Sequence, residues 1–116
     1  MPTCLVDPTF SSIECRLAEL RAEIVVSPDH PELEDKLQAL LARTSELVEL
    51  GQSFTDQGNR GRARRVLSRA ATRLQKFARA VGSRKGEQAI DATLREELID
   101  EAAKLRTDVR LLKQSL

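Results

Sequence analysis

Five cations in one stretch of the chain have the spacing of a binding face. Arg62, Arg65, Arg69, Arg73 and Lys76 follow one another at intervals of 3, 4, 4 and 3 residues. On an α-helix that spacing lines them along one side. Such a row can meet the phosphates of a nucleic acid, with strong salt dependence. It can equally meet an acidic glycan, a membrane surface or an acidic patch on a protein. Charge is segregated along the chain to match. Residues 1–59 hold eleven acids and four bases, residues 60–85 hold ten bases and no acid, and residues 86–116 hold seven acids and five bases.

The more ordinary reading of the row is intramolecular, because basic runs on helices are commonly solvated or paired faces. Glu34, Asp35, Glu46, Glu49, Glu97 and Glu101 are the acids placed to pair with it, and arginine stems also cover apolar seams. Phe77 is the one aromatic among the basic residues, and its position assigns it to the core. Nucleic acid is therefore not the expected partner.

Catalysis has little to work with. The single histidine, His30, lies in the turn Ser27-Pro28-Asp29-His30-Pro31, with no carboxylate held beside it to orient it as a base. Glu96-Glu97 and Asp100-Glu101 fall on a helix surface as ordinary solubilising charges. Gly82 and Gly86 flank Ser-Arg-Lys without forming a phosphate loop or a dinucleotide fingerprint. No catalytic residue, cofactor site or metal site is assigned, and the chain reads as a non-enzyme.

The two cysteines, Cys4 and Cys15, sit close together beside an otherwise unanchored end. A disulfide between them staples that end to the first helix, which suits an exported protein. The alternative is a pair of free thiols in a cytosolic protein. With no other cysteine and one distant histidine, the ligand count is too low for a structural metal.

The elements that position these residues are helices. Pro2 and Pro8 keep residues 1–10 extended, and Ser11 or Ser12 can cap a helix whose stripe is Ile13, Leu17, Leu20 and Ile24, closed by Val25 and Val26. A second helix begins near Pro31 or Glu32 and runs to about Asp56, with Leu33, Leu37, Leu40, Leu41, Leu47, Val48 and Phe54 inward. Gly58 ends it. A third, from Arg60 or Gly61 to Val81, buries Ala63, Val66, Leu67, Ala70, Leu74, Phe77, Ala78 and Val81. Residues 83–89 read as a polar loop. Asp91 caps the last helix, which buries Leu94, Leu98, Ile99, Ala102, Leu105, Val109 and Leu112.

The expected fold class is all-α: a small antiparallel up-and-down bundle of three to four helices. Residues 1–10 form an extended strip and residues 11–116 a single domain. At 116 residues with 41% hydrophobic content, the chain has enough apolar mass for one core. A formal net charge of +1 indicates neither an acidic nor a basic partner overall. No stretch is long enough to span a bilayer, and residues 1–10 lack the pattern of a signal peptide.

The stretches CLVDPTFSSIECRLAEL, RARRVLSRAATRLQKFARAVGSRKG and LREELIDEAAKLRTDVRLL resemble a small helical domain found at the C-terminal end of large secreted or surface proteins of bacteria. The second half is similar to the helical FIMAH-type domain, through the Gly58-Asn59 turn, the Ala/Leu helix ending at Phe77 and Val81, the polar loop with Gly86 and the final Leu-Ile-Ala-Leu helix. The resemblance implies a non-catalytic accessory module of an exported protein, extracellular or on the cell surface, that serves as a spacer or attaches to a partner protein or an anionic cell-surface polymer. The rival reading is a free-standing cytosolic regulator that self-associates or binds nucleic acid through the basic helix.

Overall fold

The computed structural model describes residues 4–116; the reading of Pro2 as a helix blocker lies outside them. Five helices follow in order: α1 (Phe10–Glu23), α2 (Pro31–Asp56), α3 (Arg60–Val81), α4 (Arg84–Ala89) and α5 (Ala92–Ser115). There is no strand among the described residues. The protein is elongated, 46 × 28 × 17 Å, and its long dimension is set by α2, whose 26 residues reach about 39 Å at the helical rise.

Local chemistry fixes where each helix begins. Thr9 caps α1 by accepting from the Ser12 backbone N–H. The serines expected to cap stand inside the first turn instead. The Ser12 hydroxyl turns back to donate to the Leu5 carbonyl and accepts from the Asp7 N–H, tying the strip to the helix. α1 ends at Glu23, earlier than the apolar pattern suggests. Ile24 is extended, and Ser27 donates its N–H to the Ala89 carbonyl at 2.9 Å. Val25 is left exposed and Val26 is buried, an alternation that belongs to extended chain.

α2 starts at Pro31, whose fixed φ and missing N–H suit the first turn. Gly58, at φ +77°, reverses the chain after it. Asn59 caps α3 through Arg62 N–H and Asp91 caps α5 through the N–H groups of Thr93 and Leu94.

Residues 84–89 are helical, where a polar loop is the sequence expectation. Ser83 caps this short turn through Gly86 N–H at 3.2 Å, and Gly86 packs directly on the end of α3. A Cβ at position 86 would stand 1.9 Å from the Val81 carbonyl oxygen. The composition looks loop-like because α4 buries only Gly86 and Ala89, too few residues to show a period.

The core is one continuous cluster from all five helices. α3 is its spine, packed against α2 and α5, while α1 packs on α2 and α5 from the far side. Phe77, Leu67 and Leu74 of α3 are fully buried with Leu37, Leu41 and Leu47 of α2 and Leu98 and Leu105 of α5. Each such side chain contributes about 1.5–3 kcal/mol by leaving water. Gly51 lets Leu67 approach α2 closely, its Cγ 3.2 Å from where a Cβ would be.

Candidate binding surface

α3 divides cleanly. Its apolar face is buried, and its basic residues stand outside. Arg62, Arg65, Arg69 and Lys76 are exposed and Arg73 is half-buried, so the helix brings all five into one row. The Arg62 guanidinium lies 5.9 Å from the centre of the Phe54 ring at the end of α2, a cation–π contact that holds the head of the row in place.

The intramolecular pairing expected for this row is not made. Among the described residues, no carboxylate comes within ion-pair distance of Arg62, Arg65, Arg69, Arg73 or Lys76. The acids that the sequence offers are turned elsewhere. Glu46 takes Arg43 at 2.9 Å. Glu101 takes Lys104 at 3.7 Å. Glu97 lines a hollow between α1 and α5, and α1 lies across the core from α3. The cations therefore face water with their charge unneutralised by the protein.

The row is not flat. One shallow hollow is lined by Phe54, Arg62, Arg65, Val66 and Arg69. The next is lined by Ser68, Arg69, Thr72, Arg73 and Lys76, and Arg69 belongs to both. A third shares Lys76 and adds Lys36 of α2, Arg79 and Lys85. The hollows thus run end to end along α3, with Glu32 the one acid, at the far end, 3.8 Å from Lys85. Sequence reasoning missed these three extra cations. Arg79 continues the helical spacing after Lys76 and was legible. Lys36 and Lys85 arrive from other helices and were not.

At the other side of the molecule, Cys4 and Cys15 form a disulfide with Cα atoms 5.7 Å apart. Cys4, Cys15 and Glu19 are the one set of metal-type ligands grouped together among the described residues, and the disulfide uses up both sulfurs. Arg16, beneath the strip, is 5% exposed. Its Nη2 donates to the Asp7 carbonyl at 3.0 Å and to Asp108 of α5 at 2.6 Å. Beside it is a hollow of about 320 Å³ lined by Glu19, Glu23, Glu97 and Glu101. Burial, and then the carboxylates of Glu101, Glu19 and Glu97, push the Glu23 carboxyl above its ordinary value. The protein thus carries opposite charge on opposite sides. His30 Nδ1 stands 3.8 Å from a Glu32 carboxylate oxygen, too far for a hydrogen bond.

No helix is long and apolar enough to cross a membrane among the described residues. No family model, no curated protein and no solved structure matches this chain.

Proposed function

We propose that this chain is a non-catalytic accessory module of an exported protein, and that it attaches to an anionic partner through Arg62, Arg65, Arg69, Arg73 and Lys76. The partner is an acidic protein surface or an anionic cell-surface polymer. One observation carries the reading: a row of five cations, all on one helix, has no carboxylate partner among the described residues. Unneutralised like charges repel, so the row costs folding stability and is most simply understood as a surface kept for a partner. The Cys4–Cys15 disulfide supports an extracellular or cell-surface site, where such bonds persist. The FIMAH-like pattern of core positions supports the same reading, as a module of a larger bacterial protein.

The topology is read as an antiparallel up-and-down bundle. The short turn Gln57-Gly58-Asn59 supports this, as does the contact of Phe54 with Arg62 at one end of α2 and α3 and the single hollow that Lys36 and Arg79 both line at the other.

Immobilised polyglutamate and dextran sulfate test the reading. Retention on either, lost when Arg65, Arg69 and Arg73 are together replaced by Gln, is the expected result. Retention unchanged by the triple replacement overturns it. Tighter retention on duplex DNA, together with two alkylatable thiols in the natural protein, would install the cytosolic regulator in its place.

A further inference from the structure

α3 has a second flank, facing α5, and it too is cationic. A hollow of about 240 Å³ lies there, lined on the α5 side by Arg106, Arg110 and Lys113 and on the α3 side by Ser68, Thr72 and Gln75. Arg106, Arg110 and Lys113 are spaced 4 and 3 residues apart, which places them on one face of α5. No carboxylate lines the hollow, and none of the three cations makes an ion pair among the described residues. The Nε of Arg106 is buried without any hydrogen-bond partner. Buried donors are normally satisfied, and leaving one unmade is costly.

From this arrangement we infer that the α3–α5 hollow is a binding site for a single tetrahedral oxyanion, a phosphate or sulfate group. The donor count sets the class. Two guanidinium groups, an ammonium, the Ser68 hydroxyl and the Gln75 amide offer more N–H and O–H groups than the two oxygens of a carboxylate can use. A phosphate or sulfate presents three or four oxygens to donors arriving from two helices, and Arg forks match that geometry. The anion also removes the mutual repulsion of three cations. The Thr72 hydroxyl already donates to the Ser68 carbonyl at 3.2 Å, so it can offer the anion only a wall. This site shares no cation with the row Arg62 to Lys76, and the two can succeed or fail separately.

The test is a titration of the isotope-labelled full chain with sodium sulfate, inorganic phosphate, acetate and chloride at matched ionic strength, followed by amide and side-chain NMR shifts. Saturable shifts at Thr72, Gln75, Arg106 and Arg110 with sulfate or phosphate, and weaker ones with acetate, are expected. Shifts with phosphate alone identify a phosphate site, and equal shifts with both identify a general oxyanion site; either supports the inference. Replacing Arg106 and Arg110 together by Gln should weaken binding roughly tenfold or more. The single replacement Lys113→Gln, which leaves both guanidinium groups in place, should weaken it less and keep the fold. Arg65, Arg69 and Arg73 replaced by Gln should leave it unchanged. Shifts no larger than those with chloride, or shifts undiminished in the Arg106/Arg110 variant, would overturn the inference.

Discussion

Arg16 of α1 and Asp108 of α5, 92 positions apart in sequence, meet at 2.6 Å beneath the stapled N-terminal strip. The pair is asymmetric. Arg16 is 5% exposed and Asp108 15%, and Arg16 leaves its Nε and Nη1 without partners. Removing the acid strands a buried cation; removing the cation returns a more accessible carboxylate to water. Asp108→Asn should therefore cost about 3–5 kcal/mol, and Arg16→Met clearly less. Urea denaturation of the two variants compares them directly. If Arg16→Met proves the costlier, the pair does not work as described.

Three glycines separate by what their side of the backbone meets. Gly86 faces the Val81 carbonyl at 1.9 Å from a would-be Cβ, whereas Gly61 faces open space in the first turn of α3. Gly86→Ala should destabilise by at least about 2 kcal/mol through backbone displacement. Gly61→Ala should stabilise by about 0.5–1 kcal/mol through helix propensity and lost freedom of the unfolded chain. Gly58, at φ +77°, should accept Asn with little loss and Val only with a large one. Thermal melts that rank Gly86→Ala beside Gly61→Ala would refute the seating of α4 on α3.

Reducing the disulfide should loosen the strip without unravelling the bundle. The cross-link spans a sequence separation of 11, and in the chain-entropy view a loop of that size contributes about 2–3 kcal/mol. The strip buries little of its own: Leu5 and Val6 are 76% and 73% exposed. Circular dichroism of Cys4→Ser with Cys15→Ser should show helix content preserved and the denaturation midpoint lowered. Collapse of the helices on reduction would mean that α1 and the strip hold more of the core than the burial pattern indicates.

The fold was largely legible because four of the helices bury enough residues to show a period. Leu37, Leu41, Leu67, Leu74, Leu98 and Leu105 all fall on predicted stripes and all are fully buried. Two stretches hid from that reasoning. Val25 and Val26 extend an apolar pattern past the point where α1 ends, since a following extended segment also buries alternate residues. α4 reads as a loop because its contact with α3 is made by a glycine backbone, which has no hydropathy signal. The basic row was equally legible as a helical spacing, but its lack of partners was not. Pairing depends on which way Glu46, Glu97 and Glu101 face across neighbouring helices, and that is set by packing rather than by local spacing. Arg16 with Asp108 was missed for the same reason, whereas Arg106, Arg110 and Lys113 were legible as a helical spacing and only their place beside α3 was not.

Carboxyl crowding around α1, from α5 at Glu23 and from α2 at Glu14, gives stability a defined pH trend. Burial first, and then Glu101, Glu19 and Glu97, raise the Glu23 carboxyl above the ordinary 4.5. Burial first, and then Glu49, raise that of Glu14. A group whose folded value exceeds its unfolded value holds its proton more tightly when folded. Its contribution to stability is full below the unfolded value and is lost as pH rises through the folded one. Glu23→Gln should therefore raise the melting temperature slightly at pH 7, with the gain over the parent fading as the pH falls to 4.5 and below. A gain that grows on acidification would contradict this account of the hollow.

The most direct test of the central claim is the salt dependence of binding to polyglutamate, measured for the parent and for the Arg65, Arg69 and Arg73 to Gln variant alongside their melting temperatures. If α3 keeps its cations for a partner, log affinity falls steeply and linearly with log salt in the parent. By analogy with single-stranded polyanions, the slope should be shallower by roughly 2 in the variant, and the melting temperature should hold or rise as self-repulsion is relieved. An unchanged slope together with a marked drop in melting temperature would show that the row serves the fold and not a partner.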